Sequence, residues 1–386
     1  MPWRNNPHCK PCTGYQPKNT LAVLEINYWQ EKQLDGKDAS ERLSKSSSDD
    51  CKRSDSGCCE EDDNMPEPKE LRPTLQHEDD DDEKTRGTRR PDEIVTLELD
   101  HIPDNVLEYA RHELGESEEV KCQTIHELRE MIFERGECMP HRMDDEFLLR
   151  FLRARNFNVN RAHRLIVRYY AFKDEHPEIH VNVNPLEMRH IGDDDVMTVP
   201  AYRAPCGRRL MIYRIGNWDP RKYSVDEIFK ATVLILELGL LEPMAQILGG
   251  IVIFDFEGIS MAHAWTITPQ VASMVFALIV TAFPITTHAI HILNQSWIFD
   301  TMFAVFKPLI DSKMNSKIFF HGSDMESLHR HLPPDYLPKK YGGTRDELPY
   351  YRWIDALGKD RRVVKEMKGL GYIIPDEFCA KDDADD

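Results

Sequence analysis

The chain has 386 residues, with 49 Lys and Arg against 67 Asp and Glu, a formal net charge of −18 and 41% hydrophobic residues. Such a length allows two or three domains, and the acidic balance argues against nucleic acid as the main partner, because that binding depends on cations against phosphates. No uncharged apolar run reaches the roughly 18 residues of a spanning helix: the most apolar region, Val271 to Leu293, is interrupted by Pro284, His288 and His291.

The N-terminus, MPWRNNPHCKPC, lacks the apolar core of a signal peptide. Nine Cys, an odd number at irregular spacing, do not read as a disulfide scaffold, and a soluble protein of a reducing, cytoplasmic compartment is expected. Residues 1–95 read as a disordered acidic tail, since 36–92 carry Ser, Asp, Glu, Pro and Gly with almost no spaced apolar residues. Glu78 to Glu83 are six consecutive acids, and Asp382–Asp386 close the chain on a similar note. His8, Cys9 and Cys12 form half of a zinc-like group with no second half at ligand spacing, so no metal is expected. Leu21–Trp29 is apolar enough to be a docking motif for an unspecified partner.

A helical module is expected over 102–180. Leu107, Ala110 and Leu114 recur at helical spacing, as do Ile125, Leu128, Met131 and Ile132. Asp144, Asp145 and Glu146 precede FLLRFLRARNF and favour a helix start. In that helix Phe147, Leu148, Phe151 and Leu152 form an apolar stripe, and Arg150, Arg153 and Arg155 read as a solvated opposite face. Asn156–Asn160 breaks the helix, and a second one covers 161–174, stopping before Pro177.

From 208 onward strands and helices alternate. RLMIYRI (209–215), GGIVIFDFEG (249–258), HAIHIL (288–293) and KIFFHG (317–322) read as strands. Ser224 stands at capping-box spacing from Glu227, and Thr268 with Pro269 opens a helix over Val271 to Phe283. Strands separated by helices predict βαβ crossovers and a mostly parallel sheet. Ile298 to Ile310 (IFDTMFAVFKPLI) is apolar on more than one face, which fits either a helix buried on two sides or a lid over an apolar cavity. Lys313 and Lys317 share a face if that helix continues. Motifs for nucleophilic, phosphate-loop or zinc-hydrolase chemistry are missing, so no enzyme activity and no cofactor are expected. His288 and His291 point to opposite sides of their strand, while His321, His329 and His331 read as structural residues on or near loops. Asp255 and Glu257 read as a strand end that tethers a loop.

These segments together resemble the CRAL-TRIO lipid-binding family: FLLRFLRARNF, PEI at 177–179, IFDFEG, ITPQVA, FP at 283–284, AIHILN, FKPL, SK with FFHG, and LP–KYGGT, in that order over roughly 102–350. HAW-TITP after FDFEG is most similar to the branch of tocopherol-transfer, retinaldehyde-binding and clavesin-like proteins. The resemblance implies an α/β fold: a helical N-terminal lobe (102–180), then a mostly parallel sheet flanked by helices around a hydrophobic pocket (185–350), with 351–386 as an extension. It places the pocket at Phe229, Thr232, Leu236, Ile251, Phe254, Val275, Leu278, Ile279, Phe283 and Ile290. The gate falls on Phe299, Met302, Phe303, Phe306, Leu309 and Ile310. Phosphoinositide contacts fall on Arg155, Lys313 and Lys317, with Thr286 where a fourth cation would stand. A carboxylate that tethers retinaldehyde would fall at Phe254, so that tether is missing. The implied function is transfer of one hydrophobic molecule, tocopherol-like or retinoid, exchanged at endosomal or plasma membranes that hold phosphatidylinositol bisphosphate. The alternative is a lipid-sensing adaptor that regulates a protein partner through the acidic tail.

Overall fold

Helices build the first part of the described chain. In the computed structural model, which describes residues 97–181, 183–347 and 350–375, α1 (Asp104–Tyr109) runs into a π-helical turn at Ala110–Leu114. The acidic tail read over 1–95, the His8–Cys9–Cys12 group, Leu21–Trp29 and Asp382–Asp386 lie outside the described residues. Helix α2 (Glu118–Arg135) starts where Ser117 Oγ accepts from Val120 N at 3.2 Å. Asp144 caps α3 (Asp145–Arg153), its Oδ1 accepting from Phe147 N at 3.0 Å, and Asp145 and Glu146 fill the first turn at the positive dipole end. The chain leaves α3 through Asn156 and Phe157, both at positive φ, which ends the helix. Helix α4 (Val159–Glu175) follows, and Phe151 meets Tyr169 edge-on, ring centres 5.5 Å apart.

Arg150 and Arg153 are not a solvated face. Both are buried, at 4% and 6% exposure, because polar partners from distant segments cover that side of α3. The Arg153 guanidinium donates to Glu116 at 2.6 and 3.0 Å and to Gln246 at 2.8 Å. A spacing pattern cannot foresee this, since the acids that neutralise the charge lie far away in sequence.

Among the described residues, five strands form one sheet in the order β1-β2-β3-β4-β5. Strand β1 (Met197–Thr198) is antiparallel to β2 (Arg209–Arg214). From β2 the order runs in parallel through β3 (Gly250–Asp255), β4 (Thr287–Leu293) and β5 (Ile318–Gly322). The crossovers are α5 (Val225–Gly239) with α6 (Pro243–Leu248), then α7 (Met261–Thr266) with α8 (Pro269–Phe276), then α9 (Trp297–Phe306). Helices α10 (Tyr350–Lys359) and α11 (Arg361–Gly369) close the described chain. Gly249, at φ 73°, lets β3 enter against Thr286, whose carbonyl a Cβ there would meet at 2.0 Å.

Alternation along the strands divides the core in two. Tyr213, Val252, Ile290 and Ile292 pack with the helices of the main cluster. Leu210, Ile212, Ile251, Ile253, Ala289 and Leu293 face the other way, under Leu328, Leu332, Leu337 and Tyr341. Between α4 and α5, Glu237 is buried and accepts from Tyr169 Oη at 2.7 Å and from Lys173 Nζ at 2.8 Å. The capping box read at Ser224 and Glu227 does not form: Ser224 Oγ lies against Asp226 at 3.5 Å and Glu227 takes Lys230 at 2.7 Å. A reciprocal cap forms instead between Ser260 and His263 at the start of α7.

Candidate functional site: an apolar cavity under helix α9

On the helix-covered face of the sheet, α8, α9 and strands β3 to β5 enclose an apolar cavity. Its free volume is about 850 Å³ counted out to its mouth, with open solvent at the mouth included. The floor comes from Phe254, Ile290, Ile292 and Ile318; strand parity puts them on one face, as the pairs Phe254–Ile292 and Ile290–Ile318 show. Val275, Phe276, Ile279 and Val280 of α8 and its π-helical extension form one wall. Helix α9 lays Phe299, Met302, Phe303 and Phe306 over the space, and Ile310 follows beyond it. Phe299 meets Phe256 at 4.7 Å and stacks on Phe303 at 5.2 Å, so the lid is joined to the loop after β3 by ring contacts. Every lining side chain is apolar. Nothing in the walls can exchange a proton with a bound molecule.

The α9 segment therefore presents its apolar residues mainly inward. Asp300, Thr301, Ala304, Lys307 and Pro308 are the exposed positions, together with Trp297 at 68%. Two other aromatics are exposed beside the lid: Trp265 on α7, which packs against α9, and Phe320, whose ring lies 5.4 Å from that of Phe303. Leu309 of the gate segment is half-buried and does not line the cavity.

The ten pocket positions implied by the resemblance divide by location. Phe254, Val275, Ile279 and Ile290 line the cavity. Leu236 and Ile251 border a smaller apolar space at the entry ends of β2 and β3, and strand parity turns Ile251 to the opposite sheet face. Phe229, Leu278 and Phe283 are packed in the core, with Phe283 edge-on to Tyr169 at 5.6 Å. Thr232 is also buried, donating to Ile228 O at 2.8 Å and bonded to Tyr213 Oη at 2.9 Å. Phe256, Phe276, Ile292 and Ile318 are cavity residues that the sequence reading passed over; their strand and helix periodicity was the available signal.

The basic positions are arranged differently from a continued helix. Past α9 the chain makes a 3-10 turn at Lys307–Leu309 and a new single turn at Ser312–Asn315, so Lys313 and Lys317 are not one turn apart on a common helix. They are neighbours all the same. The half-buried Lys317 ammonium is pushed down by burial, then by the charges of Lys313 and Arg208, and its Nζ donates to Thr287 O at 2.6 Å. Arg208 donates Nε to Leu248 O at 2.8 Å and is a nearby cation the sequence reading missed. Arg155 follows α3, with Nη1 donating to Ala154 O at 2.8 Å.

Residues 194–343 match the CRAL/TRIO domain, and residues 117–190 match the Pinta-like UBA domain. An α-tocopherol transfer protein-like protein of Mus musculus is 34% identical over 267 residues, 69% of this chain and 78% of that protein. The chain belongs to the CRAL/TRIO family. Clavesin-1 of Rattus norvegicus is 33% identical over 68% of this chain and 75% of its own length, so this CRAL/TRIO chain lies within the branch its motifs indicate. Among solved structures, that of Sfh5 aligns at TM-score 0.39 and 13% identity, over 62% of this chain and 92% of that one. Lipid binding and transfer are the family's work, and the described residues include no helix long and apolar enough to cross a membrane.

Proposed function

We propose that the chain carries one hydrophobic small molecule, tocopherol-like or retinoid, in the cavity under α9. It would exchange this cargo at endosomal or plasma membranes that display phosphatidylinositol bisphosphate. The observation that carries the reading is the cavity wall itself, apolar throughout and closed on one side by a single helix. Burying on the order of 400 Å² of such a ligand yields roughly 10 kcal/mol gross at ~25 cal/mol per Å². Much of that is offset by lost freedom and desolvation, which leaves an affinity that membrane contact can reverse. Phe254 offers no polar tether at the floor, which favours cargo held by shape and apolar area. The names of the relatives, α-tocopherol transfer protein-like among them, agree with cargo of this class.

Release would begin at the lid. Trp297, Trp265 and Phe320 give the outer surface near α9 the aromatic character suited to a membrane interface. Lys313, Lys317 and Arg208, with Arg155 supplying a further cation, would draw that surface to an anionic headgroup. The role is that of a carrier, with no chemistry performed on the cargo.

The test follows from which aromatics face outward. Phe303 and Phe306 line the cavity, so charging them would disturb cargo as well as docking. Trp297→Asp with Trp265→Asp should leave the affinity for a fluorescent tocopherol unchanged and slow its transfer between vesicles at least several-fold. Transfer at the wild-type rate would refute membrane docking through this surface.

A further inference from the structure

A second, larger cleft lies away from the cavity and shares no residue with it. It is bordered by the segment before α1, by α3, by the α5–α6 junction and by α11, with about 1040 Å³ of free space out to its mouth. Its character is mixed. Leu99, Ile102, Leu149 and Leu241 form an apolar wall, and cationic side chains stand around it. Two of those cations are already neutralised: Arg153 by Glu116, and Arg362 by Asp100 at 2.5 Å.

Arg150 is not. Its side chain lines the cleft and is 5% exposed, yet among the described residues Nε has no hydrogen-bond partner, and Nη2 makes only a long contact of 3.4 Å to Glu366, with the guanidinium 5.7 Å from the Phe147 ring centre. Glu366 also accepts from Arg142 at 2.6 Å, which Asp144 holds at 2.8 and 3.0 Å, so Glu366 is shared between two guanidiniums and sits closer to Arg142 than to Arg150. Nearby, Lys365 is exposed at the cleft and pairs with nothing among the described residues. A buried guanidinium N–H left without an acceptor is costly unless one arrives.

We propose that this cleft binds a monoanionic amphiphile, a carboxylate on a medium-length hydrocarbon chain. The carboxylate would accept from Arg150, with Lys365 at the mouth, and the hydrocarbon would lie along Leu99, Ile102, Leu149 and Leu241. A carboxylate matches one guanidinium, which can donate two parallel bonds to it. A phosphate dianion fits worse, because Glu146 and Glu366 line the same cleft and would face its second charge. The site does not depend on the cargo reading, since it lies on other residues and asks for a charged headgroup.

The test uses the full chain with decanoate, decanol and decyl phosphate in titration calorimetry, and a diazirine-bearing decanoate for photolabelling. Decanoate is expected to bind at least tenfold more tightly than decanol and to label peptides spanning 145–153 and 362–366. The same labelling is expected in Ile279→Trp, which fills the other cavity. Arg150→Met should weaken decanoate at least tenfold. Should that variant not fold, two surface changes serve: Lys365→Glu should cost about threefold and Ile102→Trp about tenfold. Labelling confined to peptides of 275–318 would overturn the proposal, as would decanol or decyl phosphate binding as well as decanoate. Undiminished decanoate binding in both surface variants would overturn it too.

Discussion

Mild acid is expected to loosen this fold through its neutral, buried histidines. On the sheet face away from the cavity, His291 Nδ1 lies 2.9 Å from His321 Nε2, and His321 Nδ1 lies 2.9 Å from Ser327 Oγ. The His331 ring adds to the group, its centre 5.3 Å from that of His291. Burial, followed by the neighbouring imidazoles, pushes His291 down to about 3 and His321 down to about 4. His180, beside Lys173, is pushed by burial down to about 4, and His163, with neither ring nitrogen bonded, is lowered in the same direction. The sign follows from linkage: an unfolded imidazole titrates near 6.5, so below that pH the unfolded chain takes up protons that the folded chain refuses. Stability is therefore full above about pH 6.5 and falls as pH drops toward the folded values. Between pH 7.5 and 5.5 each depressed histidine costs about 1.3 kcal/mol, so His291, His321 and His180 together cost about 4 kcal/mol. This window lies above the titration of ordinary carboxylates. Urea unfolding at the two pH values would measure the loss, and His291→Leu should shrink it by about 1.3 kcal/mol. An equal loss in wild type and His291→Leu would refute the assignment to this cluster.

Ile279→Trp should abolish binding of a fluorescent tocopherol or retinoid with a stability cost of about 1–3 kcal/mol, whereas Leu278→Trp, one residue away but turned into the core, should cost stability and spare binding; ligand titration beside thermal melts would separate the two. Glu237→Gln should destabilise by about 3–5 kcal/mol in urea because Lys173 is left buried and unpaired, and Lys173→Met with Glu237→Leu should recover most of the loss. Replacing Lys313 and Lys317 with Ala should weaken sedimentation with phosphatidylinositol bisphosphate vesicles by about thirtyfold, taking ~1 kcal/mol per cation; binding equal to wild type would remove these lysines from the membrane contact.

Much of the fold was legible because local signals agreed with tertiary need. The continuous apolar run of β3 reflects a strand covered on both faces, and the acids before α3 and the Thr268–Pro269 pair each mark a helix start that forms. Asp255 ends β3 and accepts from Glu257 N at 3.0 Å and from Asn294 Nδ2 at 2.8 Å, the tether its position suggested. What stayed hidden was set by partners distant in sequence. Arg153 looks solvent-facing until Glu116 and Gln246 are brought to it. His321 stands on β5, within the strand read over 317–322, but its bonds to His291 and Ser327 form only once the strands pair and cannot be read from spacing. The cavity was half legible: the inward stripe of α9 can be read from spacing, but Ile251 and Phe254, both apolar and three apart, are separated onto opposite faces only by strand parity. The break after α9 depends on Pro308 and Asp311, with Asp311 capping the next turn through Met314 N at 2.7 Å; a capping signal was present there and outweighed the simple helical spacing of the two lysines.

Whether the cavity under α9 is a lipid site is tested most directly by native mass spectrometry of the protein purified from its own cells, with Ile279→Trp prepared in parallel. The expected result is one hydrophobic molecule of tocopherol or retinoid size per chain in the wild type, and the bare chain mass in the variant. A wild type recovered only at its bare mass, or a lipid retained equally by Ile279→Trp, would contradict it.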